Sequence, residues 1–290
     1  MKIAVVTDST AYLPEALKDK YDIRTIPLSV VFGDESYKED EEIKPEEFYD
    51  MIRNIDELPR TSQPSIGDYI LLLESLKGEG YTDVISVHLS SRISGTCQNA
   101  VSAGDSVEGI GLHVIDSEVA CYVQGFLALY AAQNKDYMQL EALIDTLELM
   151  KQKKNTNAYF IVETLTNLQK GGRLSNAQAM LGSMLKVKPV LEFRDAKIVP
   201  YEKIRTRKKA MKRVETQFAK EMEVHRGKPV TAVVIHANCE ADALDWIETL
   251  KQKHPEVKFQ LSYFGPVIGT HIGEGALGLG YTVYDVDTDV

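Results

Sequence analysis

The pattern of apolar and polar positions divides the first half of the chain into short strands separated by amphipathic helices. The segments KIAVVTD, DIRTIPLSVVF, TDVISVHL and GLHVIDS are rich in β-branched and other apolar residues, which predicts strands. Ser65 with Asp68 three positions later has the spacing of a helix N-terminus, and Tyr69 and Leu73 follow at helical spacing. This alternation predicts a parallel sheet with helices on both faces.

The second half of the chain has a different pattern. An amphipathic helix predicted over 138–153 ends in the polar stretch KQKKNTN, which favours a domain boundary. Beyond it, NAYFIVE, PVTAVVIHAN and KFQLSYF predict strands, SNAQAMLGSML predicts a short apolar helix, and a charged helix follows over 207–223. KPVLEFRDAKIVPYEKIR predicts a hairpin that turns at Arg194 and Asp195, so the sheet is expected to be mixed.

These elements predict an α/β protein of two domains. The first, over residues 1–155, is expected to be a three-layer, Rossmann-like domain with a parallel sheet. The second, over residues 156–290, is expected to be an α/β domain with a mixed sheet.

Polar residues follow three of the predicted parallel strands. The groups Asp8-Ser9-Thr10, Ser90 to Gly95 and Asp116-Ser117 each come directly after an apolar run. In sheets of this kind ligands bind beyond the carboxyl ends of the strands, and the loop PRTSQPS at 59–65 can reach the same edge. The sequence therefore predicts a binding site rich in hydroxyl groups at this edge.

A glycine-rich segment near the C-terminus, GPVIGTHIGEGALGLG, contains a formal GxGxxG match at Gly273, Gly275 and Gly278. A dinucleotide fingerprint also needs a βαβ unit and an acidic residue about 20 positions further on, and the sequence reaches Val290 first. We therefore expect these glycines to permit positive φ angles or close backbone approach around His271.

Charge and composition exclude several classes of protein. The formal net charge of −10 and the pI of about 5.2 argue against a nucleic-acid surface. Asp8 interrupts the first apolar run before a signal-peptide core forms, and no apolar run is long enough to cross a bilayer, which predicts a cytoplasmic location. Cys97, Cys121 and Cys239 are too widely spaced for a metal site or a disulfide framework, so we interpret them as small buried residues.

Six motifs, taken together, resemble those of the DegV family, which includes the fatty-acid-binding carrier subunit of bacterial fatty acid kinase. The motifs are VTDSTAYLP, TSQPS, SSRISGTCQNA, LQKGGRLS, PYEKIRTRKKA and GPVIGTHIGEGALGLG, and they span nearly the whole chain. The departures are Cys97 in place of the usual Tyr, Ile93 in place of Leu, and Tyr12 in place of an acidic residue.

The resemblance implies a carrier, without catalytic residues or cofactor, that buries one long-chain fatty acid between its domains. It presents the carboxylate to a separate ATP-dependent kinase, whose acyl phosphate product enters phospholipid synthesis. Matching motifs makes Thr61, Ser94 and His271 the carboxylate-binding residues. The secondary candidates in the same motifs are Ser62, Gly95, Thr96 and Thr270.

Further candidates concern the acyl chain and the kinase. The residues expected along the acyl tunnel are Phe160, Leu181, Met184, Leu185 and Phe264, although the same residues suit an ordinary core. Arg173 and Arg205 are the candidates for kinase docking. The basic run EKIRTRKKAMKR is equally typical of a solvated helix face, and it allows at most transient membrane contact.

The clustered hydroxyls have a physical explanation on this hypothesis, because a partly buried carboxylate needs several hydrogen-bond donors.

Two alternative functions stay open from the residues. One is a hydrolase or acyltransferase with Ser94 as nucleophile and His271 as base, although no nucleophile elbow or third residue is visible. The other is a carrier of another apolar anion, such as a retinoid or isoprenoid acid.

Overall fold

The computed structural model describes residues 2–55, 57–175 and 187–289. The strands in these residues are β1 (Ile3–Asp8), β2 (Ile23–Ile26), β3 (Ser29–Phe32), β4 (Glu35–Lys38), β5 (Arg60–Ser62), β6 (Asp83–His88), β7 (Gly111–Asp116), β8 (Thr156–Ile161), β9 (Lys188–Arg194), β10 (Lys197–Ile204), β11 (Thr231–His236), β12 (Lys258–Tyr263) and β13 (Leu277–Thr282).

The α-helices in the same residues are α1 (Glu15–Tyr21), α2 (Pro45–Ile52), α3 (Ile66–Gly78), α4 (Thr96–Gly104), α5 (Tyr122–Asn134), α6 (Leu140–Met150), α7 (Thr166–Lys170), α8 (Arg207–Val224), α9 (Glu240–Lys253) and α10 (Pro266–Ile272). A 3₁₀ turn, Ser9–Ala11, follows β1 directly.

The N-terminal sheet is parallel, with the order β2-β1-β6-β7. All six residues of β1 are buried. Because successive side chains point to opposite sides of a strand, both faces of β1 are covered. Ala4 and Val6 pack under α3 and α4, whereas Ile3 and Val5 pack towards α5. The predicted three-layer arrangement with a parallel sheet is therefore confirmed.

The second sheet is mixed, with the order β10-β9-β8-β13-β11-β12, as the hairpin pattern predicted. β9 and β10 form this antiparallel hairpin, and Asp195 and Ala196 at its turn both have positive φ. One face of the sheet packs against α8 and α9, and the other face joins the same apolar cluster as α5.

Helix α5 lies between the two sheets. Ten of its thirteen residues are buried, and apolar positions occur all around the helix. A helix that is apolar on every side is stable only when it is covered on every side, and here the parallel sheet covers one side and the mixed sheet the other. The core is consequently continuous across residue 155, although β8 begins the second sheet at Thr156.

A small antiparallel sheet of order β4-β3-β5 was not predicted. The pattern DIRTIPLSVVF predicted one strand, but Pro27 divides it, because proline cannot donate a backbone hydrogen bond. β2 joins the parallel sheet and β3 joins the small sheet. The single-strand prediction was therefore wrong, and the division places β5 beside β3, with Thr61 opposite Val30.

Other elements follow their patterns closely. The Ser65 hydroxyl accepts a hydrogen bond from the Asp68 N–H at 3.0 Å, as a helix N-cap does. α6 is shorter than its predicted range of 138–153, and the predicted helix SNAQAMLGSML lies, apart from Ser175, outside the described residues.

The C-terminal glycines act through backbone geometry. Gly273 and Gly275 have φ of +78° and +82°, which L-amino acids with side chains rarely adopt. Gly278 and Gly280 lie in β13 on the face towards α5, and a β-carbon at Gly280 would overlap Cγ2 of Val123. The expectation that these glycines serve turns and close packing is confirmed.

The Gly280–Val123 contact predicts a destabilising substitution. Gly280→Ala should lower the free energy of unfolding by about 1–3 kcal/mol, because the added methyl group overpacks a site bounded by a stiff β-branched side chain. Chemical denaturation measures the change, and Gly280→Ala combined with Val123→Ala should recover part of the loss.

The matched control is Gly78→Ala. Gly78 is exposed at the end of α3, and a β-carbon there meets no atom within 4 Å, so this change should leave stability unchanged or raise it by about 0.4–1 kcal/mol. An equal loss in both single variants would contradict close packing of α5 on β13.

Candidate functional site

A narrow cavity lies where the small sheet, the parallel sheet and α10 meet. Most of its described lining is aliphatic: Leu28, Leu89, Ile93, Leu168, Ile198, Val267, Ile268 and Ile272. The polar lining residues are Thr61, Ser62, Gln63, Ser94, Arg173 and His271. The volume is about 60 Å³, enough for a carboxylate and the first carbons that follow it.

Thr61 and His271 meet at the polar end of this cavity. Thr61 lies on β5 and His271 in the last turn of α10, and Thr61 Oγ1 and His271 Nε2 are 2.8 Å apart. The fold therefore joins residues that are 210 positions apart in the sequence. Their predicted proximity rested on family resemblance alone, because no local pattern links them.

The protonation of His271 follows from its surroundings. Nδ1 is buried against Gly171 and has no hydrogen-bond partner among the described residues. We assign the proton to Nε2, because a buried acceptor without a partner is tolerated better than a buried N–H without one. Nε2 then donates to Thr61, and the Thr61 hydroxyl hydrogen is free to donate into the cavity.

Burial also decides the charge of this ring. It lowers the pKa of His271 to about 4, and the positive charge of Arg173 acts in the same direction. His271 is therefore neutral at pH 7 and acts as a hydrogen-bonding group in this site.

Ser94 reaches the cavity from the loop between β6 and α4. The Ser94 and Ile93 N–H groups donate to Ser90 O at 3.2 and 3.0 Å, which forms a tight turn. The Ser94 hydroxyl lies 2.9 Å from the hydroxyl of the buried Thr96. This contact leaves Ser94 able to donate one hydrogen bond to a ligand.

Gln63 holds the Thr61 and Ser94 segments together. Its Oε1 accepts a hydrogen bond from the Gly95 N–H at 3.1 Å, and a β-carbon at Gly95 would lie only 2.5 Å from that oxygen. Asn99 adds a second link by donating to Pro64 O at 2.9 Å. Gln63 was not among the predicted site residues, although its position inside TSQPS was the available signal.

Arg173 supplies positive charge at the same end of the cavity. Its Nε donates to Ile93 O at 3.1 Å and its Nη1 donates to Gly171 O at 2.5 Å. Burial lowers the pKa of Arg173, yet a guanidinium stays charged at any physiological pH. Arg173 was predicted for kinase docking, and the structure places it in the cavity wall.

Thr61, Arg173 and His271 also face outwards. They line a second, open cleft of about 570 Å³ together with Arg60, Asn167, Lys170 and Thr270 among others. These three residues therefore separate an inner apolar space from an outer basic one.

The secondary candidates have mostly local roles. The Ser62 hydroxyl donates to Gln63 O at 3.1 Å, and the Thr270 hydroxyl donates to Pro266 O at 2.9 Å within its own helix. Thr96 is buried beneath Ser94, and Gly95 donates its N–H to Gln63. Of the four, Ser62 lines the cavity itself.

The polar groups that follow β1 are structural. Asp8, Ser9 and Thr10 are all buried. Asp8 accepts a hydrogen bond from the Leu89 N–H at 3.0 Å, and the Ser9 hydroxyl accepts one from the Leu28 N–H at 3.0 Å. Because Leu28 and Leu89 line the cavity, these groups position its apolar wall.

The remaining candidates lie further away. Phe160 and Phe264 are buried in the same apolar cluster as the cavity wall, and both approach Gly278. Leu181, Met184 and Leu185 lie outside the described residues. Arg205 is exposed, whereas the neighbouring Arg207 forms ion pairs with Glu163 and Asp242.

Comparison with known proteins identifies the family. A family model described as "Uncharacterised protein, DegV family" matches residues 2–283 of the chain. The chain belongs to the DegV family. The family predicted from the six motifs is therefore confirmed.

Similar DegV-family proteins cover nearly the whole chain. Protein DegV of Bacillus subtilis (strain 168) is 50% identical over 281 residues, which are 96% of this chain and 98% of that protein. The crystal structure of Bacillus subtilis DegV, described as a fatty acid binding protein, has a TM-score of 0.91 at 49% identity, covering 98% of this chain and 100% of that one. A fatty acid binding DegV family protein from Streptococcus agalactiae has a TM-score of 0.90 at 32% identity, with the same coverage.

The structure also bears on membrane insertion. In the described ranges, every helix is too short or too polar to cross a bilayer.

The buried position of His271 predicts an unusual titration. Its ring should stay neutral until the pH falls to about 4. The ¹⁵N chemical shifts of the imidazole measure this titration, and they should also show that Nε2 carries the proton of the neutral ring. Because a histidine in the unfolded chain titrates near 6.5, the unfolded state takes up its proton first. The contribution of His271 to stability should therefore decline as the pH falls from about 6.5 to about 4. A midpoint near 6.5 in the native protein would contradict this assignment.

Proposed function

We propose that this protein binds one long-chain fatty acid, holds its carboxylate at Thr61, Ser94 and His271, and presents it to a separate ATP-dependent kinase. The single observation that carries the proposal is the cavity, whose lining is mostly aliphatic and includes polar groups from Thr61, Ser94 and His271. The fatty acid binding described for the Bacillus subtilis and Streptococcus agalactiae proteins supports the same ligand class.

The polar end suits a carboxylate. Ser94 and Thr61 each have a hydroxyl hydrogen to donate, and Arg173 adds a positive charge in a partly dry environment. Hydrogen bonds to an ionised acceptor are shorter and stronger than those between neutral groups. The negative charge is thereby compensated without a metal ion.

The acyl chain supplies most of the affinity. Burying about fourteen methylene groups contributes on the order of 11 kcal/mol at roughly 0.8 kcal/mol each, before association costs are subtracted. We propose that the chain continues from the aliphatic lining towards Phe160 and Phe264, which belong to the same core. On this proposal the ligand lies between the two predicted domains, 1–155 and 156–290.

Presentation to a kinase follows from the outward face of the site. A carboxylate held by Thr61, which His271 orients, would border the outer cleft, where Arg60 and Lys170 add positive charge suited to a phosphate group. Arg173 at the cleft and the exposed Arg205 are the proposed kinase contacts. The acyl phosphate so formed would serve phospholipid synthesis in the cytoplasm.

The geometry gives less support to a hydrolase. His271 Nε2 carries the ring proton and donates it to Thr61, so this nitrogen is not free to accept a proton from Ser94. Nδ1 of His271 lacks an orienting carboxylate among the described residues, whereas an activated serine needs a base that is itself oriented. We therefore propose a carrier that performs no chemistry alone.

Ser94→Ala and Thr61→Ala test the carboxylate site. Each removes one charge-assisted hydrogen bond worth about 1.5–3 kcal/mol, so each should weaken fatty acid binding by about 10- to 100-fold. The corresponding fatty alcohol, which has no carboxylate, should lose much less affinity. Titration calorimetry with both ligands measures the difference.

Ser106→Ala is the matched control. Ser106 is exposed beyond the end of α4 and donates to Ser102 O, so its loss should not change the affinity for either ligand.

Native mass spectrometry of the purified protein should also show a fatty acid bound stoichiometrically. Unchanged loading in the Ser94 and Thr61 variants would refute the carboxylate assignment, and ester hydrolysis abolished by Ser94→Ala would favour the hydrolase.

A further inference from the structure

Glu39 is a fully buried carboxyl group that the binding site described above does not use directly. It follows β4 and has no exposed surface. Its Oε1 accepts hydrogen bonds from the Tyr12 hydroxyl at 2.9 Å and the Val267 N–H at 2.8 Å, and its Oε2 accepts one from the Ser9 hydroxyl at 2.6 Å. All three donors are neutral.

Each partner of Glu39 leads to the cavity wall. Val267 lies in the first turn of α10 and lines the cavity, as does Ile268, whose N–H donates to the Tyr12 hydroxyl at 3.3 Å. Ser9, the third partner, accepts from the N–H of Leu28. Glu39 therefore connects the start of α10 with a cavity residue from the first part of the chain.

Helix α10 depends on such external contacts. It has seven residues, fewer than an isolated helix needs for stability in water. Its N-cap, Gly265, makes no side-chain hydrogen bond, and a β-carbon there would lie 2.9 Å from Glu39 Oε1. The absence of a side chain at Gly265 thus allows the carboxyl group of Glu39 to reach the first turn of α10. His271 lies in the last turn of the same helix.

We infer that Glu39 is a positioning residue of the fatty acid site, which holds α10 so that His271 meets Thr61. This role rests on the proposed function. Glu39 acts through the backbone of α10 and does not touch the ligand.

The surroundings of Glu39 indicate which substitution preserves this role. Burial raises its pKa to about 8, and the charge of Asp40 adds to this effect, although the three hydrogen bonds oppose it. The other titratable groups nearby are Tyr12, Tyr49, Tyr263 and Cys121, which burial keeps protonated, and Lys18, Lys44 and Glu15 beside Asp40. Glu39 therefore keeps its proton at pH 7, and glutamine is its closest mimic.

The test is a double-mutant cycle between positions 39 and 271, with palmitate and oleate binding to the folded protein as the readout. Glu39→Leu removes both acceptor oxygens and should weaken binding about tenfold, whereas Glu39→Gln should stay within about threefold of the wild type. In a His271→Ala background, Glu39→Leu should cost only about twofold, because residues that act through one another are not additive.

Glu41→Leu is the matched control, since Glu41 is exposed two residues away and should not affect binding. If Glu39→Leu does not fold by circular dichroism, Tyr12→Phe takes its place in the cycle, because it removes the hydroxyl that joins Glu39 to Ile268. Its expected loss is about threefold, again reduced in the His271→Ala background.

The outcomes separate the two proposals. A wild-type protein that binds neither acid would overturn the proposed function together with this role. If the wild-type protein binds the acids and the Glu39→Leu or Tyr12→Phe variant binds them equally well, the role of Glu39 alone is overturned. The same conclusion would follow if the losses were additive with His271→Ala or if Glu39→Gln were as weak as Glu39→Leu.

Discussion

The burial of α5 between two sheets is the constraint on which the rest of this structure depends. Because this helix is apolar on nearly every side, neither sheet alone removes it from water. Both sheets must stay packed against it, and β13 presents Gly280 so that Val123 can approach. The two halves of the chain are consequently held together by a shared core, and residues of both halves line the cavity.

Two buried carboxyl groups, those of Asp8 and Glu39, show how polar atoms position the apolar wall of the cavity. Burial raises the pKa of Asp8, but the hydrogen bond and charge of His88, together with donors from Thr10 and Leu89, outweigh it and lower the pKa overall. Glu39 has comparable burial and three donors, but burial and the charge of Asp40 outweigh them, so its pKa rises. Asp8 thereby fixes Leu89, and Glu39 fixes α10, through different balances of the same forces.

The sequence was sufficient for those features that depend on local pattern. Strand alternation predicted the parallel sheet and the β9–β10 hairpin, and the Ser65–Asp68 spacing predicted the start of α3. The small sheet escaped prediction because Pro27 divides an otherwise continuous apolar run, and β5 is a strand of three residues with no periodicity of its own. Burial of Glu39 escaped for a related reason, since it is one of four consecutive acidic residues and its burial results from α10, more than 200 positions later.

The candidate site shows the same division between local pattern and long-range packing. Motifs brought Thr61, Ser94 and His271 to attention, but only packing shows that His271 is a neutral donor to Thr61 and that Arg173 lies in the wall. This arrangement has a consequence for chemistry. A carboxylate clamped in a bidentate fork by arginine would have its oxygen lone pairs occupied. Arg173 instead uses two of its donor groups on Ile93 O and Gly171 O, so on the proposed function single hydroxyl donors would leave further lone pairs of the carboxylate without a hydrogen bond. On the proposed function, a site built in this way would retain the ligand by its acyl chain and leave the carboxylate nucleophilic towards a phosphate brought by another protein.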